Sequence, residues 1–281
     1  MSTDAAYRIT GPSAISGDPR RLLHLALALA VTDWKLRFFG SVLGYLWSLL
    51  RPLMLFGILY VVFSQIVGVS AGVANYPLIL LAGVVLYFTF GEMTNGSVTS
   101  MVDRETLVRK VSFPRMAIPL SVTMVAALNM LPNLVTIAIF VAASGVQPRW
   151  TWLLIPLPLV GLIVFGMGLA MLLSALYVPF RDVRPIWEVI AQALFYATPI
   201  LYPIEKVAER SDVLVKIAMS NPLAVLIQEF RHFLLGPEVP SAAQAMGGTA
   251  WLLIPAAIFL GLTALGFWVF NRMSPHAAEQ L

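Results

Sequence analysis

Apolar and polar positions fall in long blocks along this chain rather than in short alternation. Runs of mainly apolar residues recur at about 52–69, 77–101, 116–143, 152–178, 186–204 and 250–270. Roughly 20 such residues let a helix cross a bilayer, so the pattern predicts six spanning helices. The second block turns polar along its length, with Glu92, Thr94, Asn95, Ser97, Thr99 and Ser100. Lipid cannot satisfy these groups, so they should face a cavity or another helix. The third carries Asn129, Pro132 and Asn133, which predict a kink or a lateral contact. The fourth contains Gly161, Gly166, Gly168 and Ala170, small residues that let helices approach closely in lipid. The fifth follows a charged turn at 179–185, holds Glu188 and Gln192, and ends in Pro199 and Pro203 among aromatic residues. Such a helix should line something polar and break where it reaches the far side.

The segments between these blocks have characters of their own. Residues 1–17 read as a polar tail with no apolar leader core. Across 18–39, Arg21, His24, Ala28, Thr32 and Lys35 share one helical face and Leu22, Leu25, Leu29 and Leu36 another. Asp33 and four basic residues argue against spanning. The segment reads either as an amphipathic helix lying in the membrane interface or as one packed on a cytoplasmic partner. The stretch 102–115 is the longest charged segment between spans. An apolar piece at 222–235 is only about 14 residues, too short to span, and reads as re-entrant or interfacial. Residues 272–281 form a second short tail. The fold class expected is an all-α polytopic membrane protein with six transmembrane helices.

Composition agrees. Hydrophobic residues make up 59% of the 281 and charged ones 11%, against about 25% charged in ordinary soluble domains. The formal charge of +4 informs orientation more than partners, and no nucleic acid is expected. Of the 18 Lys and Arg, 13 fall on the side of the two termini and five on the other. The positive-inside rule therefore predicts cytoplasmic termini and places 205–249 outside. Cysteine is absent, which excludes disulfide and thiolate chemistry. There is no phosphate-binding P-loop, so the chain offers no such site for ATP. His24, His232 and His276 are scattered and suggest no metal. Glu92 and Glu188 would have to converge to act as an acid–base pair; otherwise each bonds neighbouring helices or borders an aqueous vestibule. An intramembrane enzyme should show a convergent cluster, and the sequence offers none, nor any catalytic residue.

Four stretches, GSVLGYLWSLLRPL (40–53), LVRKVSFPRMAIPLS (107–121), RDVRPIWEVIAQALFYATPILYP (181–203) and NPLAVLIQEFRHFLLG (221–236), together resemble the membrane subunits of ABC-2 type exporters. The likeness is strongest to the branch that exports lipid-linked polysaccharides such as O-antigen and teichoic acid. The resemblance implies a six-span permease domain over 40–271 in the bacterial plasma membrane. It also implies a homodimer and two copies of a separate cytoplasmic ATPase that carry ATP and Mg, with no cofactor on this chain. The segment at about 102–113, with Asp103, Arg104, Glu105, Arg109 and Lys110, resembles the coupling helix that docks on the ATPase. Residues 18–39 resemble the interface helix, and 205–249 the paired gate helices that dip back into the outer leaflet.

For an anionic lipid diphosphate, Arg21, Lys35, Arg37, Arg51, Arg181 and Arg184 are candidates for the cytoplasmic entrance; simple anchoring suits each of them equally. Phe88, Phe90, Trp187, Phe195, Tyr196 and Tyr202 are candidates to line a sugar path, although packing or interface anchoring explains each alone. Glu92 stands among them without a role that the resemblance supplies. Pro199 and Pro203 mark the expected gate. An exporter of drugs or small lipophilic molecules is the alternative within the same superfamily.

Overall fold

The computed structural model describes residues 19–38, 44, 46–106 and 113–276, and among them every regular element is helical. Helix α1 covers Pro19–Phe38 and α2 Leu46–Tyr60, prolonged by a π-helical turn at Val61–Ile66. Then come α3 (Tyr76–Val98), the short α4 (Ser100–Asp103) and α5 (Ala117–Ala143). A 3₁₀ turn at Trp150–Leu154 leads into α6 (Pro156–Tyr177), followed by α7 (Val183–Ala197) and α8 (Ile204–Ala208). The chain finishes with α9 (Asp212–Met219), α10 (Pro222–Leu235), α11 (Ala242–Ala245) and α12 (Leu253–Met273).

Five of these helical stretches are long and apolar enough to cross a membrane: 46–66, 76–98, 117–143, 150–177 and 249–273. The expected fifth span differs. It is a helix of 15 residues that begins inside the charged turn and stops at Ala197. Thr198 is extended, with ψ 137°, because the ring of Pro199 crowds the helical conformation of the residue before it. The chain continues through the buried Pro199–Leu201 and Pro203 as an irregular segment. Helices α9 and α10 then form a pair bent by 102°, a geometry shared by a broken span and a re-entrant loop, and α10 is the short apolar run at 222–235. Asn221 closes the bend as the N-cap of α10, accepting from the Leu223 amide at 3.0 Å.

Helix α3 is the centre of the bundle. It is buried along most of its length between α5 and α6, while α12 lies along α6 and α1 along α5. The α6–α12 contact depends on missing side chains. A methyl group at Gly266 would fall on the carbonyl oxygen of Gly168, and one at Gly168 would meet the Thr263 Cα at 2.7 Å. Helix α1 buries Leu22, Ala26 and Ala30, one per turn, with Leu25 and Leu29 against Met116, Ile118 and Phe270. Leu36, expected on that face, is 64% exposed. Large apolar side chains stay exposed on the outside of the bundle, among them Ile58, Leu253 and Leu260. Lipid is the solvent that suits them.

Candidate functional site

Where α1, α2, α3, α5 and α7 converge, they leave an open cleft of about 1280 Å³. Its two ends differ in chemistry. At the end near α1, Glu92 sits at the centre of a polar cluster. Arg37 forms an ion pair with it, and Asn129 Nδ2 donates to the same carboxylate oxygen at 2.8 Å. Trp34 Nε1 donates to Asn129 Oδ1 at 2.9 Å, and Asn133 Nδ2 to the Asn129 carbonyl at 2.8 Å. The Glu92 carboxylate is thereby satisfied by α1 and α5, whereas Thr94 and Ser100 donate to carbonyls of their own stretch of chain and the buried Ser97 Oγ has no partner among the described residues. Arg51 reaches the same wall from α2. Further along, Phe88, Phe195 and Tyr196 line the cleft, with Glu188 and Gln192 beside them on α7.

A second ion pair ties α1 to the segment after α4. Arg104 pairs with Asp33 and donates through Nη1 to Ser121 Oγ at 2.9 Å. Its guanidinium is therefore turned toward α1 and α5. Asp103 stays exposed and accepts from Thr99 Oγ1 at 2.7 Å, and Glu105 is half-buried. Arg109 and Lys110 lie outside the described residues.

The other candidates from the sequence separate into three groups. Arg37, Arg51, Phe88, Glu92, Phe195 and Tyr196 meet at the cleft. Arg21 and Lys35 are exposed on α1 away from it, Arg181 lies 5.0 Å from the ring of Tyr177, and Arg184 pairs with Glu188 at 3.1 Å. Phe90 and Trp187 belong to the core. Phe90 stacks on Phe165 at 5.8 Å and meets Trp187 edge-on at 6.4 Å.

Pro199 and Pro203 are buried at the break after α7. Tyr202 is half-buried, its hydroxyl donating to the Tyr196 carbonyl at 3.2 Å. Tyr87, absent from the sequence candidates, donates to the Ala191 carbonyl and so fixes α7 against α3. Another residue that sequence reasoning passed over is Arg231, fully buried on α10. The signal for it was an arginine in the polar middle, Gln228 to His232, of a helix that is apolar at both ends. Trp34 likewise gained its role only from the folded contacts, whereas the contacts of Asn129 with Glu92 and Trp34 are of the lateral kind that the sequence suggested for it.

A family model for ABC-2 type transporters matches residues 24–235. The chain is 30% identical over 263 residues to an O-antigen export system permease protein RfbA of Klebsiella pneumoniae, covering 92% of this chain and 96% of that protein. It is 28% identical over 222 residues to the O-antigen export system permease protein RfbA of Myxococcus xanthus, covering 79% and 84%. The polysialic acid transport protein KpsM of Escherichia coli is 22% identical over 249 residues, covering 84% and 90%.

Proposed function

This chain belongs to the ABC-2 type transporter family, and on that premise we propose that it is the permease subunit of an exporter that moves a lipid-linked polysaccharide out of the cytoplasm. The cleft is the observation that carries this reading. At about 1280 Å³ and open, it exceeds the 300–1,000 Å³ typical of sites that enclose a small ligand. Its mixture of aromatic faces and polar groups suits a chain of sugars that must slide past rather than lodge. The relatives named for O-antigen export and polysialic acid transport favour a polysaccharide over a drug. The carrier in this reading is a polyprenyl diphosphate, and Arg37 and Arg51 meet its anionic head on the wall of the cleft.

The power comes from two copies of a cytoplasmic ATPase, which bind ATP and Mg; two permease chains form the pathway between them. Residues 102–113 dock on the ATPase, and two ion pairs carry its motion inward. Arg104 passes it to Asp33 on α1, and Arg37, one turn further along α1, passes it to Glu92 in the wall of the cleft. In this reading α1 lies at the cytoplasmic mouth and the α9–α10 pair forms the outer gate. A cysteine placed at Ser211 in this cysteine-free chain should react with an impermeant thiol reagent added outside intact cells, and one at Thr106 should not. The reverse labelling would overturn the orientation.

The function itself is tested by co-purifying the chain with its companion ATPase and reconstituting both in vesicles. ATP should drive a lipid-linked polysaccharide across the bilayer. Failure to co-purify, or transport of small lipophilic drugs without the polymer, would reject the reading.

A further inference from the structure

We propose that Arg231 is the positioning residue of the exit, joining the break after α7 and the bent α9–α10 pair to α3 so that the three move as one body during transport; this rests on the exporter reading above. Arg231 is 1% exposed, and its hydrogen bonds go to main-chain carbonyls. Nε donates to Ile79 at 2.9 Å, Nη1 to Pro199 at 2.6 Å and Nη2 to Ile200 at 3.1 Å. Arginine is rarely buried so completely without a paired carboxylate. Leucine would fill the space at less cost in desolvation. What a guanidinium adds is a planar fork that donates to several acceptors at once.

The acceptors here come from two elements. Pro199 and Ile200 lie in the break, where carbonyls have left the helical ladder, and Ile79 lies in the first turn of α3. Gly83, one turn along α3, leaves room for the guanidinium. A Cβ there would fall on Arg231 Nη2 and would meet Ile200 Cγ2 at 3.2 Å. Two more side chains hold the same segment. Tyr76 donates to the Leu201 carbonyl at 2.8 Å, and Asn221 Nδ2 to Thr198 Oγ1 at 2.9 Å. From this joint α3 runs unbroken to Glu92 and on to the polar turn at Thr99, so displacement at one end of the helix reaches the other.

The test places spin labels at Ala74→Cys and Val213→Cys, both exposed positions, on one of the two permease chains of the complete complex reconstituted with its ATPase, the other chain being left cysteine-free. In the native background the distance between the labels should be the same without nucleotide and with ATP bound. In Arg231→Lys, where one ammonium cannot bridge the same carbonyls, the distance should shift or broaden with ATP. ATP hydrolysis should continue while export per ATP falls about tenfold, the scale set by losing one charge-assisted contact. Gly83→Ala should do the same with Arg231 in place. A native distance that changes between the two states overturns the proposal whatever the variants do. So do variants that keep both the native distance and the native yield of export per ATP. A native complex that moves no polymer contradicts the proposed function instead, and the distance comparison still stands.

Discussion

Glu92 shows how a single polar residue organises one end of the cleft. Its carboxylate is shared by Arg37 and Asn129, and Asn129 also accepts from Trp34. Arg37 is about half exposed, at 49% of its side chain, and such pairs contribute about 1 kcal/mol or less to stability. Glu92→Ala should therefore leave the protein folded and abundant while loosening the docking of α1. A spin label at Thr32 is expected to become more mobile in Glu92→Ala and to stay unchanged in Arg21→Ala, whose side chain is exposed on α1. Equal mobility in both variants would remove Glu92 from this role. The anomaly of an acid deep in a span was plain in the sequence. Its partners were not, because periodicity gives no register between helices 55 residues apart. The aromatic candidates divide by simpler arithmetic. Phe88 and Phe90 are two residues apart, roughly 200° around a helix, so only one of them faces the cleft and the other enters the core. Trp187 and Tyr196 are nine residues apart and fall on opposite sides of α7 for the same reason.

Among the elements, α7 and the α6–α12 pair show what proline and glycine decide. The break after Ala197 followed from Pro199 alone. The length of the fifth span did not, since the apolar run continues to Ile204 after the helix has ended. Nor did composition indicate that Arg231 would meet the freed carbonyls from 31 residues downstream. The small residues of α6 predicted a close approach, and α12 makes it. A methyl at Gly266 falls on backbone, which cannot move aside, so Gly266→Ala should destabilise the protein by about 1–3 kcal/mol. At Gly161 a methyl meets the mobile end of Leu226 at 2.7 Å. Gly161→Ala should therefore cost about 1 kcal/mol or less, the scale of a strained side-chain rotation. Thermal unfolding in detergent, followed by intrinsic fluorescence, compares the two, and equal losses would contradict this account of the packing.

At the scale of the whole molecule, composition alone placed the chain in a bilayer, and the order of apolar blocks gave nearly every spanning helix within a few residues. The cleft lay beyond that reading. It lies where five helices far apart in the chain converge, and no local pattern encodes such a gap. It is also open, and in the proposed function a second copy of the chain completes the pathway. The central claim is that sugar polymer travels along this cleft. The most direct measurement replaces Phe88, on the wall of the cleft, with a photoreactive phenylalanine analogue, and Leu260, exposed on the outside of α12, with the same probe as a control. During ATP-driven export in the reconstituted complex, illumination should attach polysaccharide to the protein at position 88 and only lipid at position 260. Active export with no polymer adduct at position 88, or with equal adducts at both positions, would contradict the account.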